Sequence, residues 1–421
     1  MAVKGGQYKS YIFTGLKDTC TGCGACVKSC THSALRMSPD NEGFLYPQLD
    51  KDKCIHCGLC DIVCPVVGRK QGNIEDIQHC FIATSNKKEY YIESATIGIC
   101  TMLAEHVLKL GGYVYGCYLD ENNWTAYHVR IDKLSDVGLI RNSKYLQSNL
   151  KDTFESVKND LLASSSVLYF GTPCQIAGLK AYLHKDYDNL VTVDIICHGT
   201  FSPSLLPLEV NYWEQLFNSK ISNFRFRSKK RFKHTNCGMV NFDIISKSGR
   251  VRHIERHASA SPSYYCFAYA ADGINYNLRL SCYKCPMRDR KRYGDITVGD
   301  PWKVDNTIRN SLNGNFLIQS VYSANTAKGM SLLELINSEL IVLEKPREVL
   351  FCQDAVLPTN RQVPSKRSQI YDSLSKVEYG QLIENIFDTN LEINHKKFVM
   401  DYIKGRLKDF VKIILHIFNS F

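Results

Sequence analysis

The chain has 421 residues, 44% of them apolar, and a formal charge of +10. That length exceeds a bare ferredoxin and allows two or three domains, and the apolar share excludes wholesale disorder. The 18 cysteines occur in a chain whose opening, MAVKGGQYKSYIFTG, lacks the apolar core of roughly 7–15 residues that marks a signal peptide. It also lacks an apolar run near the roughly 18 residues that would span a membrane.

A reducing cytoplasm is therefore the expected setting, where clustered cysteines ligate metals more often than they pair. The positive charge suits an anionic partner: a nucleotide, an acidic redox protein or a lipid headgroup surface. No nucleic-acid partner is expected, and a homo-oligomer is allowed.

Residues 1–72 are dense in cysteine, punctuated by glycine and short of periodic runs, as in a small domain organised around metal. Cys20, Cys23, Cys26 and Cys30 form C-x2-C-x2-C-x3-C, and Cys54, Cys57, Cys60 and Cys64 repeat it, with Pro65 completing the second run. Gly22, Gly24 and Gly58 permit the tight turns that bring such thiolates around one cubane face. In two-cluster ferredoxins the fourth cysteine of each run crosses to the other cluster. This assigns Cys20, Cys23, Cys26 and Cys64 to one 4Fe-4S cluster, and Cys54, Cys57, Cys60 and Cys30 to the other. A pair of zinc sites would more often use C-x2-C pairs separated by a longer loop. Thr31 replaces the proline expected after Cys30, a position that shapes the exit turn without ligating.

From about residue 78 the texture changes to α/β. Thr96–Leu110 places Ile97, Thr101, Ala104 and Leu108 on one helical face, which Gly111-Gly112 would end. Tyr113–Leu119, Val167–Phe170 and Leu190–Cys197 read as strands, Ile176–Leu183 as a helix, and 221–255 as an antiparallel or edge part of the sheet. After about residue 355 the chain becomes polar and helical. The expected fold class is an α/β catalytic domain with a mixed sheet and helices, over 76–355. It follows a small α+β two-cluster ferredoxin-like domain over 1–75 and precedes a helical tail over 356–421.

Ten cysteines remain. Cys80, Cys100, Cys117 and Cys352 read as small core residues. Cys282 and Cys285 form C-x2-C, half of a metal site, and Cys174 in GTPCQ and Cys197 in ICHG are the best candidates to complete it. Each of those two ends a predicted strand, where a turn aims the thiol into a cleft. A redox dithiol at 282/285 and a zinc site are the alternatives, with Cys237 and Cys266 in reserve as ligands.

The segments SKYLQS (143–148), LYFGTPCQIAGLKAYL (168–183), VDIICHGTFSP (193–203) and SCYKCPMRDRKRYGDITVGDPW (281–302) resemble the coenzyme F-420 hydrogenase/dehydrogenase beta-subunit family. They appear in the family's order over roughly residues 78–350, behind a two-cluster ferredoxin domain. The resemblance implies an α/β fold, a flavin, usually FAD, and a third 4Fe-4S cluster held by Cys174, Cys197, Cys282 and Cys285.

No G-x-G-x-x-G follows a strand, so a Rossmann-type dinucleotide site has no support. The flavin candidates are Ser94, Thr96 and Gly98, where the family often carries serine-glycine-glycine and a helix N-terminus could receive phosphate. Ser143, Lys144 and Tyr145 follow, with Asp295 and Asp300 expected near the cofactor. Pro301 and Lys303 depart from the family's phenylalanine and glycine. His198 reads either as a proton donor or as a hydrogen-bonding prop for the Cys197 loop. The basic run Arg225, Arg227, Lys229, Lys230, Arg231 and Lys233 reads as a solvated strand end and loop, or as an attractor of an anionic substrate or acidic carrier.

Residues 396–418 form a basic amphipathic helix with Val399, Ile403, Leu407, Phe410, Ile414 and Ile417 on one stripe. It suits capping the large domain, binding a partner subunit or peripheral membrane contact.

The expected function is an iron-sulfur flavoprotein oxidoreductase that passes electrons between a ferredoxin or other redox protein and a small-molecule, two-electron acceptor. The alternatives are a non-catalytic electron-transfer subunit of a larger redox complex, and an accessory redox protein in surface-polysaccharide biosynthesis.

Overall fold

The structure, a computed structural model, describes residues 9–68, 79–85, 87–229, 238–270, 272–288, 292–312 and 318–418, without the side chains of 88, 406 and 409–418. These fall into two compact units. One draws on residues 1–207, 225–237 and 278–363; the other on 208–224, 238–277 and 364–421.

The first unit opens with the cysteine-rich head. Gly24 (φ 72°) and Gly58 (φ 75°) take the left-handed backbone that side chains resist, and each launches a one-turn helix, Ala25–Lys28 and Leu59–Ile62. Between the two cysteine runs lies an antiparallel hairpin of β1 (Leu35–Pro39) and β2 (Leu45–Leu49), with Leu35 opposite Leu49. Phe44 and Tyr46 are its buried rings.

The rest of this unit is an eight-stranded mixed sheet. Its strands are β3 (His79–Thr84), β4 (Tyr113–Asp120), β5 (Thr125–Ile131), β6 (Val167–Gly171), β7 (Leu190–Ile195), β11 (Ile296–Gly299), β12 (Ser320–Ala324) and β13 (Ile341–Glu344). Their order is β13-β3-β12-β11-β7-β6-β4-β5. The central four, β4-β6-β7-β11, are parallel, and the outer pairings are antiparallel.

Both faces of the central strands are buried, which explains their nearly continuous apolar sequences. Leu168 faces one core, built with Ile99, Met102, Leu103 and Val107 of the helix Ile99–Lys109. Val167 and Tyr169 face the other, with Phe154, Val157, Ile176, Leu179 and Tyr182. Cys23, Ala25 and Val63 of the head are built into this second core. The head also docks through polar contacts: Leu45 N donates to Gln147 Oε1 at 2.9 Å, Lys28 pairs with Glu155 at 3.1 Å, and Ser204 Oγ donates to the Glu42 carbonyl at 3.0 Å.

Two helices start elsewhere than their apolar spacing predicts. The first begins at Ile99, after Gly98 (φ 89°), so Ser94–Gly98 is a loop. The second spans Pro173–Leu183, because Thr172 and Gln175 form a reciprocal capping box and Pro173 suits the first helical position.

In the second unit β8 (Lys220–Arg225), β9 (Met239–Ile245) and β10 (Val251–His257) form a separate three-stranded sheet, with β9 and β10 antiparallel, not an edge of the large one. Trp213 packs on Phe242, ring centroids 5.3 Å apart. Buried Glu209 accepts hydrogen bonds from Ser261 Oγ and Trp213 Nε1. The tail joins this unit through the helices Tyr379–Phe387 and Leu391–Phe418, where Phe398 stacks on His257 at 4.0 Å. Ile403 and Leu407 of the tail stripe are more than half exposed, and Phe410, Ile414 and Ile417 lie outside the described side chains. No helix among the described residues is long and apolar enough to cross a membrane.

Candidate redox site

The parallel order β6-β7-β11 brings three carboxyl ends together, the place where open α/β sheets bind ligands. Cys174 sits in the first turn of the helix that follows β6. Cys197 lies just past β7, and Cys282 and Cys285 occupy the short helix Leu280–Tyr283 and the turn after it.

The four thiols share one electrostatic neighbourhood. Burial pushes the Cys174 thiol up to about 11, with the charge of Cys282 adding to it. Burial, then Cys282 and Cys174, push Cys197 up to about 12. Cys285 is raised by burial and by all three of the others. Arg279 and Arg288 act in the opposite direction on Cys282. Among the described residues, no group of three or more His, Cys, Asp or Glu converges as a single metal ion would require. Cys266 is packed in the second unit, and Cys237 lies outside the described residues.

The head shows a similar grouping. The Cys23 thiol is raised by burial and then by Cys64, Cys20 and Cys174. Burial, then Cys23, Cys20, Cys64 and Cys60, raise Cys26. Cys20, Cys23, Cys26 and Cys64 are thus neighbours, with Cys60 close to Cys26. Cys60 neighbours Cys57; Cys54 lies in the preceding loop, and Cys30 closes the turn after Ala25–Lys28. Cys174 acts on Cys23, so the first head group and the dispersed group adjoin.

Over the same strand ends lies a cavity of about 290 Å³. Ser94, Thr96, Gly98, Ser143, Lys144, Tyr145, His198 and Asp300 line it, together with Cys174 and Cys197. Cys100 and Cys117, expected as plain core residues, also reach its wall.

Asp295 does not line this cavity. Its carboxylate is buried at the amino-terminal end of β11, accepting from Thr192 N and Oγ1 at 2.8 and 2.6 Å and from Thr326 Oγ1 at 3.0 Å. The neighbouring acid of the GD pair, Asp300, is the one on the wall. It pairs with Arg227 at 2.7 Å, and its carbonyl accepts from Gln353 Nε2 at 2.8 Å. Lys144 Nζ donates to the Arg141 carbonyl at 2.6 Å, and its desolvated surroundings push the ammonium down to about 8. His198 stands exposed on the wall.

Arg227 and Lys229 of the basic run are not in the solvated loop that its composition suggests. Arg227 is 4% exposed and Lys229 1%. Lys229 Nζ donates to three main-chain carbonyls, Tyr91 at 3.0 Å, Ser94 at 2.7 Å and Thr96 at 2.9 Å, and so fixes the loop before the helix Ile99–Lys109. No alternation marks these two residues, because Phe226 and Ser228 beside them are buried as well. Lys230, Arg231 and Lys233 lie outside the described residues. Arg279 had no signal either, standing three residues ahead of Cys282 in an unremarked polar position.

A cysteine-rich head docked on a mixed α/β sheet, with Cys174 and Cys197 at its strand ends and Cys282 and Cys285 beside them, is the architecture of an iron-sulfur electron-transfer protein. Residues 19–67 match the 4Fe-4S dicluster domain, and residues 164–348 match the C terminus of the coenzyme F420 hydrogenase/dehydrogenase beta subunit. Over these residues the chain is similar to this beta-subunit family, behind a 4Fe-4S dicluster domain. A chain of the xenon-derivatised F420-reducing NiFe hydrogenase complex from Methanosarcina barkeri is similar at a TM-score of 0.37 and 16% identity, over 76% of this chain and 92% of that one. Comparison with curated proteins gives no match.

Proposed function

We propose that the protein is an iron-sulfur flavoprotein oxidoreductase of the cytoplasm, passing electrons between a ferredoxin-type donor and a small-molecule acceptor that takes two. The observation that carries this reading is the grouping of Cys174, Cys197, Cys282 and Cys285, the first two on the cavity wall, beside Cys23 of the head.

Four half-buried thiols grouped this closely are poorly placed as free thiolates, and they suit a polycation that accepts all four. A third 4Fe-4S cluster fits that donor set. The first two would be held by Cys20, Cys23, Cys26 and Cys64, and by Cys30, Cys54, Cys57 and Cys60.

FAD fits the cavity through its small and hydroxyl-bearing lining. The helix Ile99–Lys109 also leaves its first N–H groups free at residues 99–101 on the wall, a natural seat for phosphate. Lys229 holds the Ser94–Gly98 loop in place, and Arg227 holds Asp300. A bound flavin supplies exchange of electrons singly or in pairs, which no side chain offers. The chain's part is to seat the cofactors close together, exclude water between head and sheet, and present a proton-bearing group such as His198 at the wall.

Anaerobic purification with iron, sulfide and flavin analysis tests the proposal. About twelve irons and one flavin per chain are expected. A chain that keeps its irons but holds no flavin after reconstitution would leave an electron-transfer subunit without its own two-electron chemistry.

A further inference from the structure

The reading above gives the chain two cysteine groups that adjoin, and one cation lies between them. Arg279 is 1% exposed. Its Nε donates to the Cys20 carbonyl at 2.8 Å and its Nη1 to Gln147 Oε1 at 3.2 Å. The guanidinium lies 3.8 Å from the centroid of the Tyr46 ring and 5.7 Å from that of Phe44, both in the head. On the other side its main chain is tied to the dispersed group, because Cys282 N donates to the Arg279 carbonyl at 2.9 Å. The side chain's charge is felt at Cys174 and Cys282.

Two features do not fit a mere docking contact. Among the described residues no carboxylate pairs with this guanidinium, and its Nη2 is buried without a hydrogen-bond partner. A buried cation without a counterion is costly, because its lost hydration is not repaid. The glycine between Cys20 and Cys23 makes room for it. A Cβ on Gly22 would fall 3.1 Å from Arg279 Cζ and within contact of Gln147 Nε2.

We propose that Arg279 is the positioning charge of the relay, whose counterions are the two clusters it separates, so that it holds both in favour of their reduced forms. A cluster with four thiolate ligands carries net negative charge, and reduction adds one more. A fixed cation nearby therefore raises the potential, and low solvent exposure keeps the effect from being screened. The inference rests on the cluster reading, and the test separates the two.

The full chain is purified anaerobically as wild type, Arg279→Gln, Arg279→Lys and Gln147→Glu, and each is titrated potentiometrically with its cluster signals followed by electron paramagnetic resonance. Gln147→Glu keeps the acceptor used by Leu45 N and Arg279 while supplying the missing carboxylate, so the charge is neutralised with the guanidinium still in place. Arg279→Gln and Gln147→Glu should each lower the reduced-to-oxidised ratio of two signals roughly tenfold at fixed potential, about 59 mV for one electron. The signal of the Cys54-type cluster should not move, and Arg279→Lys should retain most of the wild-type value.

Unchanged potentials in both neutralising variants would overturn the proposal, as would an equal shift of all three signals. If Arg279→Gln loses iron, Gln147→Glu carries the decision alone. A wild-type protein with only about eight irons would contradict the third-cluster reading. The cluster beside Cys20 would still have to shift for Arg279 to hold its assigned role.

Discussion

Gly178 stands directly against Cys23: a Cβ on Gly178 would lie 2.8 Å from the Cys23 Cβ and 3.0 Å from its Sγ. The helix Pro173–Leu183, which starts with Cys174, can approach the head only because this position has no side chain. In an open helix Gly→Ala stabilises by about 1 kcal/mol. Here the added methyl meets a close-packed neighbour, and overpacking costs about 1–3 kcal/mol. Gly178→Ala should therefore lower the denaturant midpoint measured anaerobically. A raised midpoint would show that the head does not pack against this helix as described.

The loop Ser94–Gly98 gives a second prediction. Removing the Lys229 ammonium leaves three carbonyls without their donor, and hydrogen bonds to charged groups contribute about 1.5–3 kcal/mol each. Lys229→Met should yield a protein that keeps its iron and loses most of its flavin, read by absorbance and by chromatography of the released cofactor. Full flavin content in Lys229→Met would remove this loop from the cofactor seat.

Asp295 and Asp300 should part company. Asp295 braces β7 against β11 through Thr192, whereas Asp300 lies on the cavity wall. Asp295→Asn should reduce stability without changing flavin content in the folded protein. Asp300→Asn, which breaks a pair with Arg227 that is 4% and 18% exposed, should impair flavin binding as well. Loss of flavin in both variants to the same degree would dissolve the distinction.

The sheet has its own internal test. Asp194 accepts from Arg292 Nη2 at 2.9 Å, Thr297 Oγ1 at 2.6 Å and the N–H groups of Tyr293 and Gly294. The two side chains are 0% and 1% exposed. Removing one partner of such a pair costs about 3–5 kcal/mol. Asp194→Ala should show a loss of that size by urea denaturation, and a change below about 1 kcal/mol would contradict the burial of the pair.

What was legible in the sequence followed from local chemistry. The doubled cysteine runs announce the head because every ligand is near its neighbours in sequence. The central strands announce themselves by unbroken apolar runs such as Val167–Phe170, which only a sheet covered on both faces needs. The helix start at Pro173 is not legible from apolar spacing, which does not register the reciprocal cap of Thr172 and Gln175. The burial of Arg227 and Lys229 is not legible, because charge alone suggests solvent and only the fold supplies Asp300 and three carbonyls to receive them. The grouping of 208–224 and 238–277 with the tail depends on contacts far apart in sequence, such as His257 with Phe398, that no local pattern encodes. Asp295 and Asp300 look alike in GDITVGDPW, and strand direction alone separates brace from wall.

The central claim is that four cysteines scattered from 174 to 285 hold one cluster. Iron and acid-labile sulfide should be counted in anaerobically purified wild type and in a Cys282→Ser, Cys285→Ser double variant, with folding checked by circular dichroism. The account predicts about twelve irons falling to about eight, with the two head clusters retained. A folded double variant that keeps its full iron content would contradict it.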